Sequence, residues 1–304
     1  YTTTTNGNIG RFCRRAAIEG IGKLLPLIIN EEDKILILQE QLNLSIGKVI
    51  ERACESIDDL RQKASNVLTK LVTSIKDNNN HPLHLYIKEF NLLEKIFYLK
   101  NKEEEKEEEN KEFSNKDWLT SKGFERLSLL LNSTTYGNFA LSGFVLSAGS
   151  VCAWTMENAF LAIVSYLKPH KKDIKNFLNN LLLINSKMSE RQIDPTPILI
   201  LFRMLFNDGQ LKCLEENADN SIIFSNFYKL IYKLLFSLQT SPYAAIREKV
   251  ASQLFEAFSL LIEEEEEKQI NLALELLAQT DWSKWGDEKM NNSFLEIKRI
   301  LKGI

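Results

Sequence analysis

The sequence predicts an all-α protein, a HEAT/armadillo-like α-solenoid in which helix pairs stack into a superhelix. Three observations carry this expectation. Apolar residues recur at steps of three and four along most of the 304 residues, which places them on one face of a helix. Proline and glycine are scarce, at 6 and 12 residues, so helices have few breakers. A pattern of arginine, small residue and spaced apolar residues also returns. It reads Arg14-x-x-Ala17-x-x-x-Ile21-x-x-Leu24, then Leu60-Arg61-x-x-Ala64-x-x-x-Leu68-x-x-Leu71, then Ile246-Arg247-x-x-Val250-Ala251-x-x-Leu254-Phe255. Arg14 and Arg61 lie 47 residues apart and Arg61 and Arg247 lie 186 apart. The second gap is about four periods of the first, inside the ~40–47-residue range of HEAT and armadillo units.

The elements follow in order. A first helix is predicted over 8–25, with Asn8 as its cap and Pro26 at or inside a short continuation to Ile29. Residues 31–44 are helical, with Ile35, Leu36, Leu38 and Leu42 apolar. Glu51 to Val72 is the stretch around which the chain is organised, continuing to Ile75. Its apolar face is Ile57, Leu60, Ala64, Val67, Leu68 and Leu71; its polar face holds Glu51, Arg52, Asp58, Asp59, Arg61, Lys63 and Lys70. Ala64, small between large neighbours, lets a second helix come close. Asp77 to Asn80 is a loop, Pro82 opens the next segment, and His84 to Leu99 is helical. Residues 101–116 are acidic, of low complexity and nearly free of apolar side chains, which predicts a disordered or solvated insertion.

Beyond the insertion, Trp118 to Leu131 is helical and Ser133 to Gly137 turns. Asn138 to Ala153 is rich in Ala, Ser and Gly, which suits close packing or a bend. Trp154 to Leu167 is amphipathic and stops before Pro169. Helices over 172–185 and 194–206 follow, the latter opened by Pro195 and Pro197. Ser221 to Leu238 is a strongly apolar helix. Pro242 begins the last repeat-like unit. Glu263 to Glu267 is an acidic cap or loop. Ile270 to Leu277, a turn through Asp281 to Trp285, and Met290 to Leu301 complete the chain.

Composition excludes several classes. The formal net charge is −3, which gives no drive toward nucleic acid or an anionic membrane surface. No apolar run reaches the ~18 residues of a membrane span. The chain opens on Tyr1 and a threonine run, with no signal or transit peptide; residues 1–7 read as a linker cut from a longer chain. Cys13, Cys54, Cys152 and Cys213 are scattered, without C-x-x-C, as free thiols of a reducing compartment are. His81-Pro-Leu-His84 is the closest histidine pair and lacks a third ligand for a metal. No phosphate-binding glycine loop, zinc-protease or nucleophile-elbow motif occurs. Asp58 and Asp59 are adjacent and diverge on a helix, so they are not an acid–base pair. No enzyme activity, cofactor or metal is expected. Arg11, Arg14, Arg15 and Lys23 form a small basic patch.

Several blocks resemble the C-terminal region of the tubulin-folding cofactor D family. They are Gly7-Asn-Ile-Gly10 through Arg14-Arg-Ala-Ala17, Glu55-x-Ile57-Asp58-x-x-Arg61-x-x-Ala64, Tyr136 to Gly149, Ile246-Arg247 through Ala251 to Glu256, and Leu276-x-x-x-Thr280-Asp-Trp282. They occur in the family's order and span nearly the whole chain. The acidic insertion and Ser150 to Trp154 depart from the family pattern. The resemblance implies that residues 1–304 are one C-terminal HEAT-like domain of a longer chain. It implies a cytoplasmic chaperone scaffold of the microtubule cytoskeleton that binds β-tubulin and the αβ-tubulin dimer. Such a scaffold works with tubulin cofactors C and E and an Arf-like GTPase in dimer assembly and disassembly. It supports GTP hydrolysis by tubulin without a catalytic site of its own. The alternative is a generic HEAT-repeat protein-interaction adaptor. Candidate partner contacts are Arg11, Arg14, Arg15, Glu55, Asp58, Arg61 and Arg247; the arginines of the repeat pattern can instead span neighbouring helices.

Overall fold

The computed structural model describes residues 3–4, 7–29, 35–77, 83–99, 114–150, 152–170, 174–190, 196–207, 235, 238–259 and 267–303. They belong to two compact units, Tyr1–Ile198 and Leu199–Ile304. Among the described residues the architecture is helical except for a small antiparallel ribbon that pairs β1 (Thr3–Thr4) with β2 (Gly7–Asn8).

The first unit runs through α1 (Ile9–Ile29), α2 (Ile35–Ala53), α3 (Asp58–Asp77), α4 (Leu83–Tyr86) and α5 (Phe90–Phe97). A 3-10 turn at Asp117–Leu119 leads into α6 (Ser121–Ser128), and a second, Leu129–Asn132, leads toward α7 (Gly137–Ala148). Then come α8 (Ala153–Leu167) and α9 (Ile174–Glu190), and α10 (Thr196–Asn207) carries the chain past Ile198 into the second unit. Helix α3 is the hub, packing on α1, α2 and α5, while α2 also packs on α7. Leu60, Ala64 and Leu68 of α3 are wholly buried, with Ile46 and Ile50 of α2 and Phe124 of α6. Small residues set the α2–α7 distance as the sequence suggests. A Cβ on Gly143 would lie 2.4 Å from the Glu51 carbonyl oxygen and 2.6 Å from the Cys54 Cβ. Glycine is therefore required there by close approach.

The organising stretch differs from its predicted form. Glu51 and Arg52 close α2, the chain turns through Cys54 to Ile57, and α3 starts at Asp58. The turn is fixed by tertiary contact: the Arg61 Nη1 donates to the Glu55 carbonyl oxygen at 3.0 Å, satisfying an acceptor that a continuous helix would have used. Asp58 and Asp59 then occupy the first turn of α3, where carboxylates favour helix initiation. The predicted helix over 84–99 is likewise split, at Glu89. Glu89 has a positive φ of 53°, a left-handed conformation uncommon for a non-glycine residue. Its carboxylate accepts hydrogen bonds from the Ser133 hydroxyl, the Thr134 N–H at 3.0 Å and the Thr134 hydroxyl at 2.5 Å. The strained backbone thus aims the side chain at the turn before α7. Trp118 to Leu131 is broken into 3-10 and α segments by the same economy of short turns. In α1, Ala17 is exposed and Ile18 is buried, so the small residue of the Arg14 pattern does not face the core.

The second unit contains α11 (Ala244–Ser259), α12 (Glu267–Gln279) and α13 (Glu288–Gly303). Helix α11 packs on α12 and α12 on α13, around Leu254, Phe258, Ile270, Ala273 and Ile297. The predicted turn at 281–285 joins α12 to α13 and extends to Gly286, whose φ is +79°. Several sequence expectations lie outside the described residues: the insertion up to residue 113, the helix over 221–234, the acidic stretch 263–266, Cys213 and His81.

Candidate functional site

The candidate contact residues collect into a charged seam in the first unit and a clamp in the second. In the seam, the Glu55 carboxylate is wholly buried and takes Arg52 Nη1 at 2.5 Å and Arg14 Nη2 at 3.2 Å. Arg52 also reaches Glu51 at 2.7 Å, and Lys48 reaches Glu51 at 2.8 Å. One buried carboxylate thereby joins α1 to the end of α2. Removing either arginine leaves Glu55 with half its compensation, which is costly in an interior.

Arg61 is also fully buried. Its guanidinium holds the Glu55 carbonyl at 3.0 Å, the Trp118 carbonyl at 3.4 Å and the Asp58 carboxylate at 2.5 Å. It also lies 4.6 Å from the centroid of the Phe124 ring, a cation–π distance. Burial lowers the Arg61 pKa, and Asp58 opposes that shift. Arg247 occupies the matching position in the second unit. It is 1% exposed and donates from Nε to the Trp282 carbonyl, from Nη1 to the Ser241 carbonyl and from Nη2 to the Ser283 carbonyl, each at 2.7 Å. Arg61 and Arg247 share a plan. Each sits in the first turn of its helix, caps the carbonyl six residues upstream and holds the carbonyl of an Asp-Trp pair, Asp117-Trp118 or Asp281-Trp282.

The basic patch is largely neutralised. Arg11 pairs with Asp59 at 3.3 Å, Arg15 with Glu19 at 3.2 Å and with Asp59 at 3.5 Å, and Lys63 with Glu19. Glu19 is held below the usual carboxylate range by hydrogen bonds from Lys63 and Arg15. Arg11, Arg15 and Asp58 keep substantial exposure, with side chains 46%, 45% and 63% accessible. Glu55, Arg61 and Arg247 face inward. Sequence reasoning did not single out Asn43, whose amide donates to the Tyr86 carbonyl at 2.9 Å and whose oxygen accepts from the Lys88 N–H and the Tyr136 hydroxyl. Nor did it find Glu89; the only trace of either is a polar residue inside an apolar run.

Among the described residues no three histidine, cysteine or carboxylate side chains form a metal-binding group. No helix among them is long and apolar enough to cross a membrane. The Cys152 thiol, exposed just before α8, is shifted down by hydrogen bonds from the Thr155 hydroxyl and N–H, whereas burial pushes the Cys54 thiol up.

Charged side chains turned inward tie neighbouring helices of a helical fold together. The family model described as Tubulin folding cofactor D C terminal matches residues 45–242. That is well over half of the chain, which therefore belongs to this family. The match takes in the Glu55–Ala64 and Tyr136–Gly149 blocks and stops short of the Ile246–Glu256 block. No curated protein and no solved structure matches the chain. Family membership makes it a chaperone-type tubulin-folding cofactor with tubulin-related partners.

Proposed function

We propose that the chain is a non-catalytic scaffold that binds β-tubulin and the αβ-tubulin dimer. It acts there with tubulin cofactors C and E and an Arf-like GTPase in assembly and disassembly of the dimer, in the cytoplasm and at the microtubule cytoskeleton. It supports GTP hydrolysis by tubulin and contributes no catalytic group. The observation that carries this reading is the family match over residues 45–242. A HEAT-like solenoid is the proposed scaffold, supported by the shared clamp of Arg61 and Arg247. Stacked helix pairs present extended surfaces on which many weak contacts to a large client add up. Arg11, Arg15 and Asp58 are the proposed contacts from the seam, because they keep accessible charge.

The test is a pull-down of αβ-tubulin on the chain, paired with GTP hydrolysis by tubulin in the presence of cofactors C and E. Retention of tubulin and a rise in hydrolysis only when tubulin is present are expected. Hydrolysis by the chain alone, or no retention of tubulin by the chain, would overturn the proposal.

A further inference from the structure

We propose that α1 is a strap, held on α3 chiefly by charge, that releases as a unit while the rest of the first unit stays folded. Helix α1 packs on α3, yet its apolar residues do little of the holding. Among its described residues Ile18 alone is buried, and Gly10, Arg14, Gly20, Ile21 and Gly22 are half-buried. Phe12, Ala16, Ala17 and Leu24 face solvent. The helices touch where Gly22 meets Val67, a Cβ there lying 2.9 Å from Val67 Cγ2, and Val67 is itself half-buried. The interface between α2 and α3 is the contrast, with Ile46, Ile50, Leu60, Ala64 and Leu68 wholly buried. What ties α1 down is ionic. Asp59 takes Arg11 at 3.3 Å and Arg15 at 3.5 Å, Glu19 takes Lys63, and Arg14 Nη2 lies 3.2 Å from the Glu55 carboxylate. Exposed pairs are individually weak and salt screens them, whereas salt does not weaken apolar burial.

The buried end of the seam is arranged so that α1 can leave. Glu55 keeps Arg52, at 2.5 Å, from the α2 side, and its carbonyl oxygen keeps Arg61. The Arg14 contact is the looser one: among the described residues no group donates a hydrogen bond to Glu55 Oε1, so charge alone holds that pair. Lifting α1 opens the Glu55 carboxylate to water, and no uncompensated buried charge is left behind. Gly20 and Gly22 lower the intrinsic helicity of α1, and an undocked helix loses the packing that sustains it. Release therefore reads as local unfolding of α1. It also redistributes charge. Docked, Arg11, Arg14 and Arg15 rest on the chain's own carboxylates; released, α1 presents all three together. The strap goes beyond the tubulin reading, which has its own test.

The experiment is hydrogen exchange on the whole chain, resolved by peptide, across a salt series. Raising NaCl from ~0.01 M to ~1 M shortens the Debye length from ~30 Å to ~3 Å. Protection over residues 10–24 should fall roughly tenfold or more, while residues 42–50 of α2 and 140–148 of α7 keep theirs. Lys63→Glu sets a like charge against Glu19 from a half-buried position and should open α1 at low salt by roughly the same factor. Adding Glu19→Lys restores an opposite pair and should return most of the protection. Salt-independent protection of α1 would overturn the proposal. Equal loss across α1, α2 and α7 would overturn it too, because the unit would then open as one body. So would a double variant as open as Lys63→Glu alone, since charge would not be the holding force. Thermal unfolding checks that both variants fold, and the wild-type salt series decides by itself if either does not.

Discussion

Arg247→Lys tests whether the buried clamp works through its charge or through its shape. Arg247 serves three carbonyl oxygens at 2.7 Å from one planar group. A lysine ammonium is a point donor on a flexible stem and cannot reach all three at once. The Trp282 carbonyl is buried and the bonds to Ser241 and Ser283 are part-buried. A buried acceptor left unmet costs ~1–3 kcal/mol, and a half-buried one that water can reach costs nearer 0.5–1 kcal/mol. Losing two of the three bonds therefore destabilises the second unit by roughly 1–4 kcal/mol, least if the Trp282 carbonyl stays met. Arg247→Ala removes all three and adds a cavity, while relief of guanidinium desolvation returns part of the loss. Its cost is about 2–4 kcal/mol, a large share of the ~5–15 kcal/mol that holds a domain together. Hydrogen exchange resolved by peptide should show faster opening across α11 and α12 in both variants, with α2 and α3 unchanged. Wild-type exchange in Arg247→Lys would refute the reasoning, because charge alone would then suffice.

Other expectations follow the same physics. Ala64→Glu places a charge at a wholly buried position and should lower the thermal midpoint steeply or abolish folding; an unchanged midpoint would mean α3 does not pack as described. Gly143→Ala drives a Cβ to 2.4 Å from the Glu51 carbonyl oxygen, so α2 and α7 must separate, at about 1–3 kcal/mol by urea titration. Burial pushes the Glu89 carboxyl up, but hydrogen bonds from Ser133, Thr134 and Thr135 outweigh it and set the net shift downward. A depressed folded pKa contributes stability above the unfolded carboxyl value and loses it as pH falls through the folded one. The stability gap between wild type and Glu89→Gln should accordingly be flat near neutrality and close in acid. Iodoacetamide should label Cys152 well before Cys54, and Thr155→Val should slow the Cys152 reaction by removing one of its hydrogen bonds.

The sequence made the regular helices legible and left the breaks hidden. The stop before Pro169, the proline start near Thr196 and the turn after Gln279 are local chemistry, and the structure keeps all three. The turn at Cys54 to Ile57 is different, because Arg61 and its buried contacts make it. The left-handed Glu89 is likewise explained by a turn 44 residues downstream of it. Arg14 shows the limit of pattern matching. Its motif matches Arg61 in spacing, yet α1 turns Ala17 to solvent and uses Arg14 to neutralise Glu55 instead. The basic patch was legible as composition, but the acids that cancel it come from α1 and α3 together. Spacing puts Arg61 and Glu51 on the polar face of their stretch, yet the structure buries both. The recurring arginine is visible in the sequence, but the carbonyls that hold it inside come from turns outside its helix.

The two clamps also bear on how such a chain can change in length. Arg61 reaches a tryptophan carbonyl 57 residues onward, and Arg247 reaches one 35 residues onward. The guanidinium fixes where the returning backbone must arrive and places no condition on the path. Closing a longer loop costs only about 0.6 kcal/mol per doubling, so an insertion before Asp117 leaves the helix stack nearly untouched. Such a junction lets a lineage add or delete a solvated segment there without redesigning the core, because each arginine holds a main-chain carbonyl and so fixes a place on the backbone.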